Sequence, residues 1–255
     1  MNGVKTYFLI LLTLILFYSN INSAVVYPLD DTMRILKDTT VVKKKNILPL
    51  TAFLGIGTAL FVWDSDILKG VQEHRSPGID NVLGYSKYFG EGWFILGLGG
   101  LNILSGELFF NRRYTLLGIY IIEGFVISGL FVSTVKFIIG RERPYVNNDP
   151  YHFKPFNFKT ANKSFYSGHT TEAFTLASII AHFFKNRWVS AMVYSIASLT
   201  AIERVYNDKH WPSDVFIGGV AGVLIGKKII EFNSNFDELS VDEDSIRISF
   251  ITTQF

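Results

Sequence analysis

Residues 203–214 read Glu203-Arg204-Val205-Tyr206-Asn207-Asp208-Lys209-His210-Trp211-Pro212-Ser213-Asp214. The apolar run 189–202 leads straight into Arg204, the trio Asn207, Asp208 and Lys209 makes a polar turn, and Pro212 suits the first position of a new helix. This reading puts Arg204 at the end of one helix and sets His210 and Asp214 around the start of the next. A permanent cation, an imidazole and a carboxylate able to orient it share one helix–helix corner in an otherwise apolar chain.

The surrounding composition fits a helical membrane protein. Of 255 residues, 49% are hydrophobic and 18% charged, and the formal net charge of +2 is too small to argue for nucleic acid. Cysteine is absent, which excludes disulfides, thiolate metal sites and a cysteine nucleophile. Apolar runs recur at 47–63, 93–110, 116–139, 170–184, 189–202 and 215–230, separated by polar turns. They predict an all-α fold, an antiparallel bundle of about six helices with its candidate site at one end. The long run 116–139 favours a membrane-embedded bundle, while several runs fall short of the ~20 residues of a span and leave a soluble bundle open. The interval 64–91 is polar, with a short amphipathic helix around Ile67, Leu68 and Val71.

Both chain ends read differently from the middle. Lys5, the apolar stretch 7–18 and the small residues up to Ala24 form a signal peptide or N-terminal anchor over 1–24. Residues 25–235 are expected to form the helical domain, with an acidic tail over 236–255. The alternation in 246–255 predicts a terminal strand, for which 25–29 is a candidate partner. If successive apolar runs are antiparallel, Lys43–Lys45, Arg112/Arg113, Lys185/Arg187 and Lys227/Lys228 fall on one side, the pattern of cytoplasmic turns. A cleaved signal peptide followed by six spans gives the opposite orientation, so the two topological signals disagree.

Counting helices the same way brings three polar clusters to the other end of the bundle. The first is Lys136-Phe-Ile-Ile-Gly-Arg-Glu-Arg143-Pro144, where the proline stops the helix. The second is Ser164-Phe-Tyr166-Ser167-Gly168-His169-Thr170, a turn whose following helix points its free amides at whatever binds there. The third is 203–214. Taken singly, Lys136 is an ordinary basic residue at a helix C-terminus and Ser167-Gly168 an ordinary turn. Together they define one pocket.

In order and spacing the clusters resemble the type 2 phosphatidic acid phosphatase superfamily, which includes lipid phosphatases, bacterial acid phosphatases and vanadium haloperoxidases. Its pattern is Lys, six residues, Arg-Pro; then Pro-Ser-Gly-His; then Ser-Arg, five residues, His, three residues, Asp. Here it stands as Lys136 to Arg143-Pro144, Tyr166-Ser167-Gly168-His169, and Glu203-Arg204 with His210 and Asp214, within 116–230. Tyr166 replaces the usual proline and Glu203 the usual serine. The second change sets a carboxylate beside the pocket, a place where it weakens anion binding or alters substrate preference.

The resemblance implies the roles. His210 is the nucleophile that forms a phosphohistidine, and Asp214 orients it. His169 serves as general acid and then general base. Lys136, Arg143, Arg204, Ser167 and the Gly168 amide hold the phosphate oxygens, with no metal and no cofactor. The expected substrate is a lipid phosphate or isoprenoid (polyprenyl) diphosphate. The expected place is the bacterial cell envelope, in the inner membrane with the site at the extracytoplasmic face. Alternatives are a soluble exported acid phosphatase in the periplasm and an inactive phosphate-binding membrane protein; a haloperoxidase is disfavoured by the short chain. His74, His152 and His182 read as structural or surface residues, as does Glu123. Asp64 and Asp66 lack neighbouring ligands for a metal.

Overall fold

The computed structural model describes the backbone over residues 47–252 and the side chains over 51–233. The expected targeting segment and the candidate strand at 25–29 lie outside the described residues. Contacts divide the chain into residues 1–56 and 57–255, and the packing and site described below concern the second unit.

Eight α-helices follow in order: α1 Ile47–Val62, α2 Asp64–Glu73, α3 Pro77–Ser86, α4 Gly92–Leu108, α5 Arg112–Ile139, α6 Gly168–Phe184, α7 Arg187–Tyr206 and α8 Pro212–Thr252. Short 3-10 turns, Lys87–Gly90 and Thr160–Asn162, precede α4 and α6. Among the described residues there is no strand, only an isolated bridge between Arg141 and Phe153. All six apolar runs are helices, and the polar interval holds α2 and α3. The backbone stays helical through Thr252, where the alternation predicted a strand. A strand needs a neighbour for its ladder, and none exists among the described residues, whereas a continuing helix satisfies its own backbone.

Local chemistry sets the boundaries. Asn111 caps α5 by accepting from Arg113 N, and Asn186 caps α7 by accepting from Trp188 N. Such caps contribute about 1 kcal/mol each. Gly140, at φ 62°, closes α5 in the left-handed conformation. In α8, Pro212 occupies the first turn, and Asp214 reaches back to accept from Trp211 N at 3.1 Å, half of a capping box.

The buried core joins four helices: Ile95 of α4, Leu117, Tyr120 and Ile121 of α5, Leu176 and Ile179 of α6, and Ile229 and Ile230 of α8. α6 and α8 approach closely enough for their backbones to touch. A Cβ on Gly222 would lie 2.3 Å from the carbonyl oxygen of Thr171, and one on Gly218 would lie 2.7 Å from that of Ser167. Only glycine allows this backbone contact, which fixes the start of α8 against the start of α6.

Among the described residues one helix, α5, is long and apolar enough to cross a membrane, with mean hydropathy 2.0 over an 18-residue window. Leu101, Leu104 and Leu108 on α4, and Val126 and Leu130 on α5, are exposed.

Candidate active site

The end of α5, the start of α6, the end of α7 and the start of α8 meet at one end of the helix bundle. The loop 140–163 is stitched beneath them by backbone bonds from Arg143 N to Ala161 O, Ser164 N to Arg141 O and Lys154 N to Gly140 O. All eight residues singled out from the sequence lie in this cluster. Lys136 donates from Nζ to the Lys163 carbonyl at 2.9 Å and lies beside Gly168. Ser167 N donates to the carbonyl of Asp214 at 3.1 Å, which ties α6 to α8. The charges of Lys136 and Arg143 bear on His210, those of Lys136 and Arg204 bear on His169, and Arg143 faces Arg204. Three cations from three elements thus surround two imidazoles.

His210 is buried, and its Nδ1 lies 2.7 Å from the carbonyl oxygen of Ser164. A carbonyl only accepts, so Nδ1 carries the proton and Nε2 keeps its lone pair. Asp214 is farther, at 3.9 Å from Nδ1. The Ser164 carbonyl therefore fixes the tautomer, beside Asp214, which the resemblance expects to orient the ring. Burial, joined by the charge of Lys136, lowers the His210 pKa to about 3.

Asp214 is held from several sides. Its Oδ1 accepts from Arg141 Nη1 at 2.7 Å, and its Oδ2 accepts from Ser164 Oγ at 2.5 Å and from Trp211 N. Arg141 is itself buried and also donates from Nη2 to Asp64 Oδ2 at 2.7 Å. Asp64 accepts in turn from the backbone and hydroxyl of Ser213. The Asp64 carboxylate is thus engaged by Arg141 and Ser213. Among the described residues no cluster of His, Cys, Asp or Glu has metal-ligand geometry.

Arg143 Nε is the one buried side-chain polar atom among the described residues without a hydrogen-bond partner. An orphaned guanidinium donor among cations marks a place for an anion. Ser167 works as the cap of α6: its Oγ accepts from Thr170 Oγ1 at 2.9 Å and, more weakly, from Thr170 N. Glu203 is buried, its Oε2 accepting from Arg204 Nε and its Oε1 from Asn207 Nδ2 at 2.7 Å. That contact leaves both Nη groups of Arg204 as its remaining donors. His169 is partly exposed, and its Nε2 lies 3.1 Å from Glu91 Oε1. Burial lowers its pKa, as does the charge of Arg204, with Glu91 opposing both.

Sequence reasoning missed Asp64, Glu91, Arg141 and the Ser164 carbonyl as members of this cluster. Arg141 and Ser164 fall inside quoted motifs. Asp64 and Glu91 carry no local signal, since each meets its partner across more than seventy residues of chain.

Comparisons with known proteins bear on the same region. Residues 117–236 match the family model described as PAP2 superfamily. Over 106 residues, 41% of this chain and 21% of the relative, the sequence is 35% identical to a lipid A 1-phosphatase of Porphyromonas gingivalis. It is 34% identical over 137 residues to an undecaprenyl-diphosphatase of Bacillus subtilis, covering 52% of this chain and 66% of that protein. The chain therefore spans a fifth to two-thirds of the length of these relatives. In fold it is similar to a transmembrane PAP2 type phosphatidylglycerolphosphate phosphatase from Bacillus subtilis, with TM-score 0.58 and 24% identity over 74% of this chain and 96% of that one.

Proposed function

Since residues 117–236 form a PAP2 superfamily domain, we propose that this chain is a membrane phosphatase that cleaves a lipid phosphate or polyprenyl diphosphate through a phosphohistidine on His210. The observation that carries this reading is the pocket's asymmetry. The charges of Lys136 and Arg143 bear on His210, with Arg204 facing Arg143 and bearing on His169, and the protonated Nδ1 of His210 leaves its Nε2 lone pair for attack.

In the proposed reaction Nε2 attacks phosphorus while the bond to the leaving oxygen breaks. The three cations hold the equatorial oxygens, where charge concentrates in the transition state. His169 gives a proton to the leaving oxygen, then removes one from the water that attacks the phosphohistidine, as the P–Nε2 bond breaks and returns the electron pair to His210. Asp214 and the Ser164 carbonyl hold the ring as it becomes positively charged. The cations supply the electrostatic work that a metal does elsewhere, so turnover is expected to survive a chelator.

The membrane assignment draws on α5 and on the exposed leucines of α4 and α5, a surface suited to lipid. Two relatives are a lipid A phosphatase and an undecaprenyl-diphosphatase, which supports an amphiphilic substrate whose tail stays in the bilayer. A soluble exported phosphatase keeps the chemistry and is favoured only by the single span-length helix among the described residues.

The test is phosphate release by purified protein in detergent from dioleoyl phosphatidate, undecaprenyl diphosphate and p-nitrophenyl phosphate, with and without EDTA. Turnover of the lipids in EDTA, lost in His210→Ala, is the expected result. Failure on all three substrates would overturn the reading.

A further inference from the structure

Glu91 follows the 3-10 turn Lys87–Gly90 and precedes α4. The turn packs directly on α6: a Cβ on Gly90 would lie 2.4 Å from the carbonyl oxygen of His169. A glycine is therefore required where the turn presses on the His169 backbone. The next residue lays its carboxylate 3.1 Å from His169 Nε2. Both side chains are about a third exposed, at 31% and 32%, so the pair sits at the solvent edge of the pocket. Motif reading did not find the pair because Glu91 precedes residues 116–230, which hold all three polar clusters.

We propose that Glu91 is the positioning residue of His169, accepting its Nε2–H so that Nδ1 carries the proton exchanged with the leaving oxygen and then with water. The inference rests on the phosphatase reading of the site and adds a carboxylate to it. In the first step the imidazolium loses its Nδ1 proton to the leaving oxygen as the P–O bond breaks. The neutral ring then holds Nε2–H toward Glu91, and its Nδ1 lone pair accepts a proton from the attacking water. Glu91 gains and loses no proton; it stabilises the charged ring and fixes its tautomer.

The charged groups facing His169 are Glu91 from the turn before α4, Lys136 from α5 and Arg204 from α7; Glu172, on α6 itself, faces Lys136 and Glu91. Two cations disfavour the imidazolium and one carboxylate directly supports it. Removing that carboxylate should make the acid form scarcer at a given pH.

The experiment compares full-length wild type, Glu91→Gln, Glu91→Asp, His169→Ala and the double variant Glu91→Gln/His169→Ala in detergent. Dioleoyl phosphatidate has an alkoxide leaving group that needs a proton; p-nitrophenyl phosphate does not. Glu91→Gln should lose on the order of 10²-fold in kcat on the lipid. Its loss on the aryl ester should be far smaller, the alkaline limb of its pH profile should move to lower pH, and Glu91→Asp should recover part of the rate. In the His169→Ala background the glutamine should cost nothing further. Imidazole NMR offers a readout without turnover: the His169 titration should move to lower pH in Glu91→Gln. Equal losses on both esters, an unmoved His169 titration, or an additive loss in the His169→Ala background would overturn the role of Glu91 while leaving the phosphatase reading intact. A wild type that turns over neither ester removes the phosphatase reading and this inference with it.

Discussion

Arg141 donates from Nη1 to Oδ1 of Asp214 at 2.7 Å, with both side chains fully shielded from solvent. The same guanidinium reaches Asp64 from its other arm. A buried cation shared by two carboxylates thus backs Asp214, the neighbour of His210, and keeps it ionised where burial alone would raise its pKa. Replacing Arg141 with Met strands two buried carboxylates, so unfolding free energy should fall by about 3–5 kcal/mol. Chemical denaturation in detergent measures it; a loss below about 1 kcal/mol would mean that the network is dispensable.

His210→Ala should lower turnover by on the order of 10⁴-fold or more, as loss of a nucleophile does. The ring is buried, so its removal leaves a cavity and an unpaired Ser164 carbonyl, and the melting temperature should fall by a few degrees while the fold persists. The phosphohistidine itself can be sought by acid-labile ³²P labelling of wild type and its absence in the variant. Retained turnover in His210→Ala would reassign the nucleophile.

The His210 pKa, lowered by burial and then by Lys136 to about 3, lies below the ordinary imidazole value of about 6.5. Between those values the unfolded chain binds more protons at this site than the folded one. Folding stability therefore rises with pH through that window and is lost as pH falls through it. Wild type should destabilise more steeply than His210→Asn between pH 6.5 and 3 in denaturation experiments. Parallel curves would show that His210 is not held neutral.

Glu203 places a negative charge against Arg204, offsetting one of the three cations. Glu203→Gln keeps an acceptor for Arg204 Nε, and Asn207 can turn its amide to receive the new NH₂. With the charge gone, orthovanadate should inhibit roughly five- to tenfold more tightly, a change of about 1 kcal/mol. Unchanged or weaker inhibition would assign Glu203 to geometry alone.

Leu130 is 66% exposed on α5. If α5 faces lipid there, Leu130→Lys costs roughly 2.5–3.5 kcal/mol of insertion, and the yield of carbonate-resistant membrane protein should drop. A normal yield in the soluble fraction would favour the exported, soluble phosphatase.

Six apolar runs and three polar clusters were legible without coordinates because both signals are local. Helix periodicity repeats within a turn, and Arg204, His210 and Asp214 sit within eleven residues whose spacing a helix end and a turn already fix. Tyr166 and Glu203 were visible as departures, though the partners of Glu203 were not. The terminal strand failed because alternation is a local pattern, whereas a strand depends on a neighbour.

The sequence by itself determined the helical class, the residues that meet at one end of the bundle and their order. Only the tertiary structure decided which atoms control their protonation: the Ser164 carbonyl on His210, Arg141 with Asp64 behind Asp214, and Glu91 on His169. The physical reason is distance along the chain. These partners meet only once glycines let backbones touch, Gly218 and Gly222 against α6 and Gly90 against His169, and no local pattern encodes that contact.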